Sequence, residues 1–470
     1  MGTSKLQRAA EWILAVVTVA LAGFTIYFSI RQIQRPYEFG YGEGTVLDAG
    51  LRILHGLTPY PDPHQWPIVL DPYGPVCYLV AAIAIKLTGL GLTGPRLVSL
   101  FSGVSAAVML VLLLRHQTKN WRVALAFGAM FLCVWPVSLW MVVARVDLLA
   151  LFLTLVGLYV FVVYPRFWYL AVLCWVTVVF AKFSMVSAPA ACVVWLLLRR
   201  QWKRAGQVAG LGLALSAAGF GLMQWLSGGH FAFHMFGTHS DVYEPIRYWM
   251  LVDLAVLGAP VAAVFSVILV MRAIRHLEAS LLTLYVPMTL LGAATAGKFG
   301  SASNHVLEFA AALCLGGGLG WAGLSSALAE SKLGTRALSA GALVAALLVF
   351  HNYNFLYNLQ QGCERAYQFV RLSSGQMYLS EDVSAVVLAG KQVAISDPWL
   401  FSQLVRHGGW SDEPLREKLR SHAIDYVILG ASTTGDLERW TQPVLQEIEQ
   451  NYQPVASFDC EEASFVLTKK

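Results

Sequence analysis

Apolar stretches of roughly bilayer-spanning length recur from residue 11 to residue 353, separated by short polar or basic connectors, and then the pattern changes. About twenty apolar residues cross a bilayer as a helix. Such runs lie near 11–30, 97–114, 123–142, 148–164, 168–184, 186–198, 207–225, 250–271, 279–296, 306–325 and 337–353, which predicts about eleven crossings. One further apolar run, 76–90, begins at Tyr73-Gly74-Pro75 and is interrupted by Lys86. After residue 353, strand-like segments (VAISD, DYVILG, SFVLT) alternate with helical ones near 398–406, 413–421 and 436–450. That alternation predicts a small α/β domain. The expected fold class is an all-α polytopic membrane bundle over 1–353 with a small C-terminal α/β domain over 354–470.

Connector charge orients the bundle. Basic connectors occur at Arg115/Lys119/Arg122, Arg166, Arg199/Arg200/Lys203/Arg204, Arg272/Arg275 and Lys332/Arg336. If 76–90 lies along the interface, all of them share one side with Lys5 and Arg8; if it spans, the N-terminus is separated from the rest. The excess of cytoplasmic Lys and Arg in membrane proteins favours the first arrangement. The outer face is then expected to hold 31–96, the Arg145–Asp147 turn, the region around Lys182, 226–249, 297–305 and the chain beyond about 354.

Composition agrees with a membrane class: 57% of the 470 residues are hydrophobic and only 13% charged, with a mean hydropathy of +0.59. A soluble domain of this length needs more surface charge. No basic stripe, zinc-type cysteine spacing or RNA-binding signature is present, so no nucleic-acid partner is expected. The basic start and first apolar run are followed by Arg31 and Arg35 rather than a small-residue cleavage site, which reads as a retained helix. Cys133, Cys174, Cys192 and Cys314 lie in apolar runs, and with Cys77 they read as small buried hydrophobes. Cys363 and Cys460 lie in the polar C-terminal part and form a candidate bridge if that part faces an oxidising space.

Ionisable residues near membrane segments are costly and point to function. Here they gather at the expected outer ends of helices. Glu43 and Asp48 follow the first crossing and read either as catalytic acids or as loop acids favoured by a helix dipole. Arg145 and Asp147 form a structural ion pair or part of a site; Lys182 contacts a phosphate or snorkels to the interface. Gly297-Lys298-Phe299-Gly300 is too short for a nucleotide loop, but it lets an ammonium and the backbone approach an anion. Asn304 lies beside His305 and Glu308, which share a helix face and are candidate ligands of a divalent metal ion without a third fixed partner. His230, His234 and His239, with Tyr243 and Trp249, read as substrate lining or as a solvated loop.

The order of several short motifs resembles the GT-C superfamily of membrane glycosyltransferases, in the branch of the protein mannosyltransferases, aminoarabinose transferases and Rgt-like transferases. The matching elements are Glu43-Gly44, Gly56, Pro59-Tyr60, Asp62, Tyr73-Gly74-Pro75, Arg96-Leu97, Arg145-x-Asp147 and Lys298-x-Gly300…Asn304-His305-x-x-Glu308, across about residues 10–325. The resemblance implies an inverting sugar transferase on the outer face of a bacterial-type inner membrane. Its donor would be a polyprenyl-phosphate-linked sugar, and its acceptor a glycan, lipid or protein. Glu43 would be the base, with Asp48 and Asp147 as further catalytic acids. Arg145, Lys182 and Lys298 would hold phosphate, and Tyr60, Asn304, His305 and Glu308 would contact substrate. Many relatives carry an Asp-type pair where this chain has Gly42-Glu43-Gly44, which leaves the base and any metal open. Two other classes compete: a transporter or flippase of lipid-linked sugars, for which midplane charges and paired broken helices are missing from the sequence, and a non-catalytic scaffold.

Overall fold

The computed structural model describes residues 5–237, 242–277, 279–328, 331–352, 363–430, 439–460 and 465–470; His239 lies outside them. In a bilayer each backbone amide must be satisfied within its own segment, so apolar runs become helices. The chain opens with α1 (Lys5–Ile33), the short α2 (Glu43–Leu54) and α3 (Pro75–Thr88) of the first long loop, and α4 (Thr93–Thr118). There follow α5 (Trp121–Cys133), α6 (Trp135–Trp140), α7 (Asp147–Val163), α8 (Trp168–Val179), α9 (Ser187–Leu198) and α10 (Trp202–Leu226). The bundle ends with α11 (Pro245–Gly258), α12 (Pro260–His276), α13 (Leu281–Gly292), α14 (Leu307–Leu328) and α15 (Lys332–Asn352).

Among the described helices, five are individually long and apolar enough to cross a membrane, or six if the bent pair α11–α12 is one span, while α3, α5, α7, α8, α9 and α13 are shorter apolar helices. Two of the expected runs are broken. Pro136 opens α6 and interrupts 123–142, while Pro260 opens α12 and turns 250–271 through 102°. A proline ring clashes with the carbonyl four residues back and supplies no amide hydrogen, so a helix restarts there rather than continuing. The run 76–90 forms α3, whose Leu79, Ile83 and Leu87 make an exposed apolar stripe while Tyr78, Ala81 and Ile85 are buried. One face of α3 therefore rests on protein and the other is left for the lipid boundary.

Residues 363–470 build a mixed five-stranded sheet from β1 (Met377–Ser380), β2 (Gln392–Val393), β3 (Tyr426–Leu429), β4 (Tyr452–Ser457) and β5 (Phe465–Lys469), in the order β2-β1-β3-β5-β4. The first three are parallel, and β5 runs antiparallel to both β3 and β4. Around it lie α16 (Glu364–Leu372), α17 (Val383–Leu388), α18 (Pro398–Arg406), α19 (Glu413–Arg420) and α20 (Gln442–Asn451). Cys363 and Cys460 are disulfide-bonded. The loop between α1 and α4 holds this unit: Ile68 pairs with Ile395, the Leu70 amide donates to Ser396 Oγ at 2.8 Å, and Thr45 Oγ1 donates to the Ser396 carbonyl at 2.9 Å. Burial of Ile68 and Leu70 with Leu379, Ala394 and Phe401 makes loop and sheet one apolar core.

Candidate active site

Between the bundle and the C-terminal sheet lies a cavity of about 470 Å3. Its bundle side carries Arg145, Lys182, Arg247 and Lys298, together with Asn304 and His305; its sheet side carries Asp397, Trp399 and Arg439. Among the described residues lining it, Asp397 is the one carboxylate, against five permanent cations. A low-dielectric chamber with this charge balance favours an anion, and planar guanidinium groups suit phosphate oxygens.

Arg145 is aimed by backbone geometry. Its guanidinium donates to the Tyr41 carbonyl and the Tyr73 hydroxyl, and it lies 5.3 Å from the Tyr73 ring centroid. Gly42 makes this approach possible: it has φ of 92°, and a Cβ there would sit 2.9 Å from an Arg145 Nη. The left-handed conformation and the close contact both require glycine.

Glu43, expected as the base, is placed one layer behind the cavity and does not line it. It is fully buried, and Arg96 grips it with Nε to Oε1 at 2.8 Å and Nη2 to Oε2 at 2.7 Å. The amides of Phe39 and Ala144 donate to the same carboxylate at 2.7 and 2.6 Å. Arg96 also donates to the Arg35 and Tyr37 carbonyls, each at 2.6 Å. The pair thus ties the first long loop, the start of α4 and the turn bearing Arg145 into one brace. Asp48 and Tyr60 also lie outside the cavity lining. Tyr60 is fully buried, with its hydroxyl donating to the Tyr73 carbonyl at 2.7 Å, so it supports the loop that carries Tyr73.

Asp147 is buried at the start of α7, where Oδ1 accepts from Lys182 Nζ and from Asn304 Nδ2, the latter at 2.9 Å. Its Oδ2 is buried with no hydrogen-bond partner. Through these bonds Asp147 fixes two residues of the cavity wall. Glu308 accepts from Ser187 Oγ at 2.9 Å and from the Tyr285 hydroxyl at 3.1 Å, and faces a small side chamber of about 10 Å3 shared with Lys182 and His305. His305 Nδ1 pairs with Thr295 Oγ1 at 3.0 Å. Among the described residues, no three His, Cys, Asp or Glu side chains gather to hold a metal, so His305 and Glu308 gain no third ligand there.

The sheet unit supplies what sequence reasoning did not single out. Asp397 caps α18, accepting from the Leu400 amide at 2.9 Å, and accepts from the Tyr41 hydroxyl at 2.6 Å. Burial pushes its carboxyl above the ordinary aspartate range, opposed by the Tyr41 hydroxyl, the Leu400 amide and the Arg145 and Arg439 charges. Arg439 lies 5.0 Å from the Tyr41 ring centroid and donates to Glu381 at 3.1 Å. Gly300, with φ of 77°, packs so closely on Trp399 that a Cβ would fall 2.2 Å from the indole. Asp71 lies just outside: both carboxylate oxygens are buried without a partner, and burial together with Asp48 raises its pKa well above the usual carboxylate range, Arg52 opposing. His234, from the histidine-bearing loop, is buried; burial lowers its pKa to about 4, and it accepts from the Asp71 amide at 3.2 Å.

No family model matches the chain, and no curated protein matches it. Solved structures do. ArnT from Cupriavidus metallidurans in the apo state superposes with a TM-score of 0.64 at 12% identity, over 96% of this chain and 97% of that one. The same protein bound to undecaprenyl phosphate gives 0.61 at 13% identity, with the same coverage. The chain therefore has an ArnT-like polytopic helical fold.

Proposed function

We propose that this protein transfers a sugar from a polyprenyl-phosphate-linked donor to a glycan, lipid or protein acceptor at the outer face of the membrane, with inversion at the anomeric carbon. The observation that carries this reading is the convergence of Arg145, Lys182, Arg247, Lys298 and Arg439 on one cavity that holds a single carboxylate among its described lining residues. The undecaprenyl phosphate bound to ArnT, whose fold this chain shares, supports the donor class. The Cys363–Cys460 bridge supports an oxidising compartment for the C-terminal unit, in agreement with basic connectors on the opposite side.

A sugar carried on a lipid phosphate brings its own leaving group. The site must hold that phosphate and accept a proton. In the proposed reaction the acceptor hydroxyl oxygen bonds to the anomeric carbon from the face opposite the phosphate. The carbon–phosphate oxygen bond breaks, and both of its electrons leave with the lipid phosphate. The hydroxyl proton passes to Asp397, the carboxylate within reach of the chamber. Arg145, Lys182 and Lys298 stabilise the growing phosphate charge. Glu43 and Asp147 act as positioning residues, the first through Arg96 and the Ala144 backbone, the second through Lys182 and Asn304.

The test compares membrane glycolipids and envelope glycans by mass spectrometry, with and without the protein, and with Asp397→Asn. Loss of one glycan modification without the protein, and a fall of roughly 10²–10⁴-fold in its formation with Asp397→Asn, is the expected result. Unchanged glycans in cells lacking the protein would overturn the enzyme reading. Full activity of Asp397→Asn would remove Asp397 as the base.

A further inference from the structure

Tyr41, in the turn that opens α2, joins the two walls of the chamber. Its carbonyl accepts from the Arg145 guanidinium on the bundle side, and its hydroxyl donates to Asp397 Oδ1 at 2.6 Å on the sheet side. The same hydroxyl oxygen accepts from the Trp399 amide at 2.8 Å. An ionised carboxylate only accepts and an amide N–H only donates, so the phenol gives its proton to Asp397. Burial, and after it the Asp397 charge, raise the Tyr41 pKa well above the usual tyrosine range, so that proton stays on the phenol. The ring is held as well: the Arg439 guanidinium lies 5.0 Å from its centroid, and the buried Glu381 accepts from Arg439 at 3.1 Å.

The Leu400 amide also ends on Oδ1 of Asp397, at 2.9 Å. Two donors on one oxygen fix the orientation of the carboxylate and leave Oδ2 for the chamber that Asp397 lines. A hydrogen bond to the charged form of an acid favours that form. Burial drives Asp397 toward its neutral form, and the Tyr41 hydroxyl is the largest influence against it, ahead of the Leu400 amide, Arg145 from the bundle and Arg439 from the sheet unit. Asp71 from the first long loop and Tyr78 from α3 also feel the Asp397 charge, more weakly than they feel their own burial.

We propose that Tyr41 is the positioning residue of the proton acceptor: its hydroxyl holds Oδ1, so that Asp397 presents Oδ2 to the acceptor hydroxyl. This rests on the transfer reaction proposed above. The acceptor's proton passes to Oδ2, and Tyr41 keeps its own throughout. Because the carbonyl of the same residue aims Arg145, Tyr41 also sets the proton acceptor and a phosphate-binding cation in register across the chamber.

The test titrates the full chain in detergent by infrared difference spectroscopy, where the protonated-carboxyl band that Asp397→Asn lacks reports Asp397. Tyr41→Phe keeps the ring against Arg439 and removes one donor, so the midpoint of that band should move to higher pH. Tyr60→Phe removes a hydroxyl from the same loop that bonds the Tyr73 carbonyl instead, and should leave the midpoint in place. In cells, the glycan product measured by mass spectrometry should fall roughly tenfold with Tyr41→Phe in mildly acidic medium, and less in mildly alkaline medium. An unmoved midpoint in Tyr41→Phe, an equal movement in Tyr60→Phe, or a loss of product that is the same in both media would overturn the proposal. Glycans unaffected by loss of the wild-type protein would instead sink the transfer reading, and the infrared midpoint would still decide the Tyr41–Asp397 bond.

Discussion

Replacing Glu43 by Gln separates a brace from a reacting group. The substitution keeps the side-chain shape and one acceptor oxygen, but it removes the counter-charge of the fully buried Arg96 guanidinium and sets an NH2 donor among donors, with the Arg35 and Tyr37 carbonyls the other acceptors. Removing one partner of a buried ion pair costs about 3–5 kcal/mol, because the other charge is stranded. That is a large share of a typical total stability of roughly 5–15 kcal/mol. Glu43→Gln should therefore unfold markedly earlier than wild type in a chaotrope or heat series followed by tryptophan fluorescence. The double variant Glu43→Gln/Arg96→Met removes the stranded charge and leaves the two loop carbonyls short of a donor, at about 1–3 kcal/mol for each such group. It should recover part of the lost stability. Sugar transfer measured on the same samples should fall in Glu43→Gln in step with folding. A Glu43→Gln protein that unfolds like wild type but transfers no sugar would refute the brace and return Glu43 to the reaction.

Further outcomes follow from the same geometry. A protonated Asp397 cannot accept the acceptor's proton, and its pKa is raised, so activity should fall on acidification above the ordinary carboxylate range near about 4; Asp397→Glu should move that acid limb in kcat/KM, and an unmoved limb rejects the assignment. Asp71 has a folded-state pKa raised above its unfolded value, so its burden on stability is absent below the unfolded value and grows as pH rises toward the folded one. Asp71→Asn should raise the unfolding temperature at pH 7.5, with the gain vanishing near pH 4; an equal or lower temperature at pH 7.5 refutes this. Gly42→Ala places a Cβ against the Arg145 guanidinium in a left-handed conformation that costs roughly 1–2 kcal/mol, and donor binding should weaken more than stability does. A cysteine introduced at Asp62 should react with an impermeant thiol label from outside intact cells; labelling only after permeabilisation reverses the proposed orientation.

The membrane helices were legible because hydropathy measures the transfer that places them. It does not measure direction. The runs 123–142 and 250–271 each read as one span, yet Pro136 and Pro260 restart the helix inside them. The C-terminal sheet was partly legible for a similar reason. Buried β3 and β5 carry dense β-branched sequence, whereas β1 is only four residues and β4 is an outer strand with Pro454 and several exposed positions. The short helix α17, VSAVVL, is apolar almost throughout and gives no helical period over six residues.

The site divides along the same line. Arg145, Lys182 and Lys298 stand out in the sequence because charge at a membrane helix end is conspicuous, as do Asn304 and His305 beside Glu308, and all but Glu308 line the chamber. Asp397 precedes Pro398 and opens a helix, which in a sequence is simply a capping signal; only the fold brings it to Tyr41. Gly42 links the two halves. A carboxylate at that position, as the resemblance leads one to expect, would lie against the guanidinium of Arg145, since even a Cβ there is within 3.1 Å of both Nη atoms. With the loop position given over to Arg145 and Glu43 held by Arg96, the acid facing the chamber comes from the sheet unit across it. In the proposed reaction the C-terminal unit supplies the proton acceptor rather than only covering the site. Separating it from the first long loop, for instance by Leu70→Asp inside their shared apolar core, should abolish transfer even if the bundle stays folded.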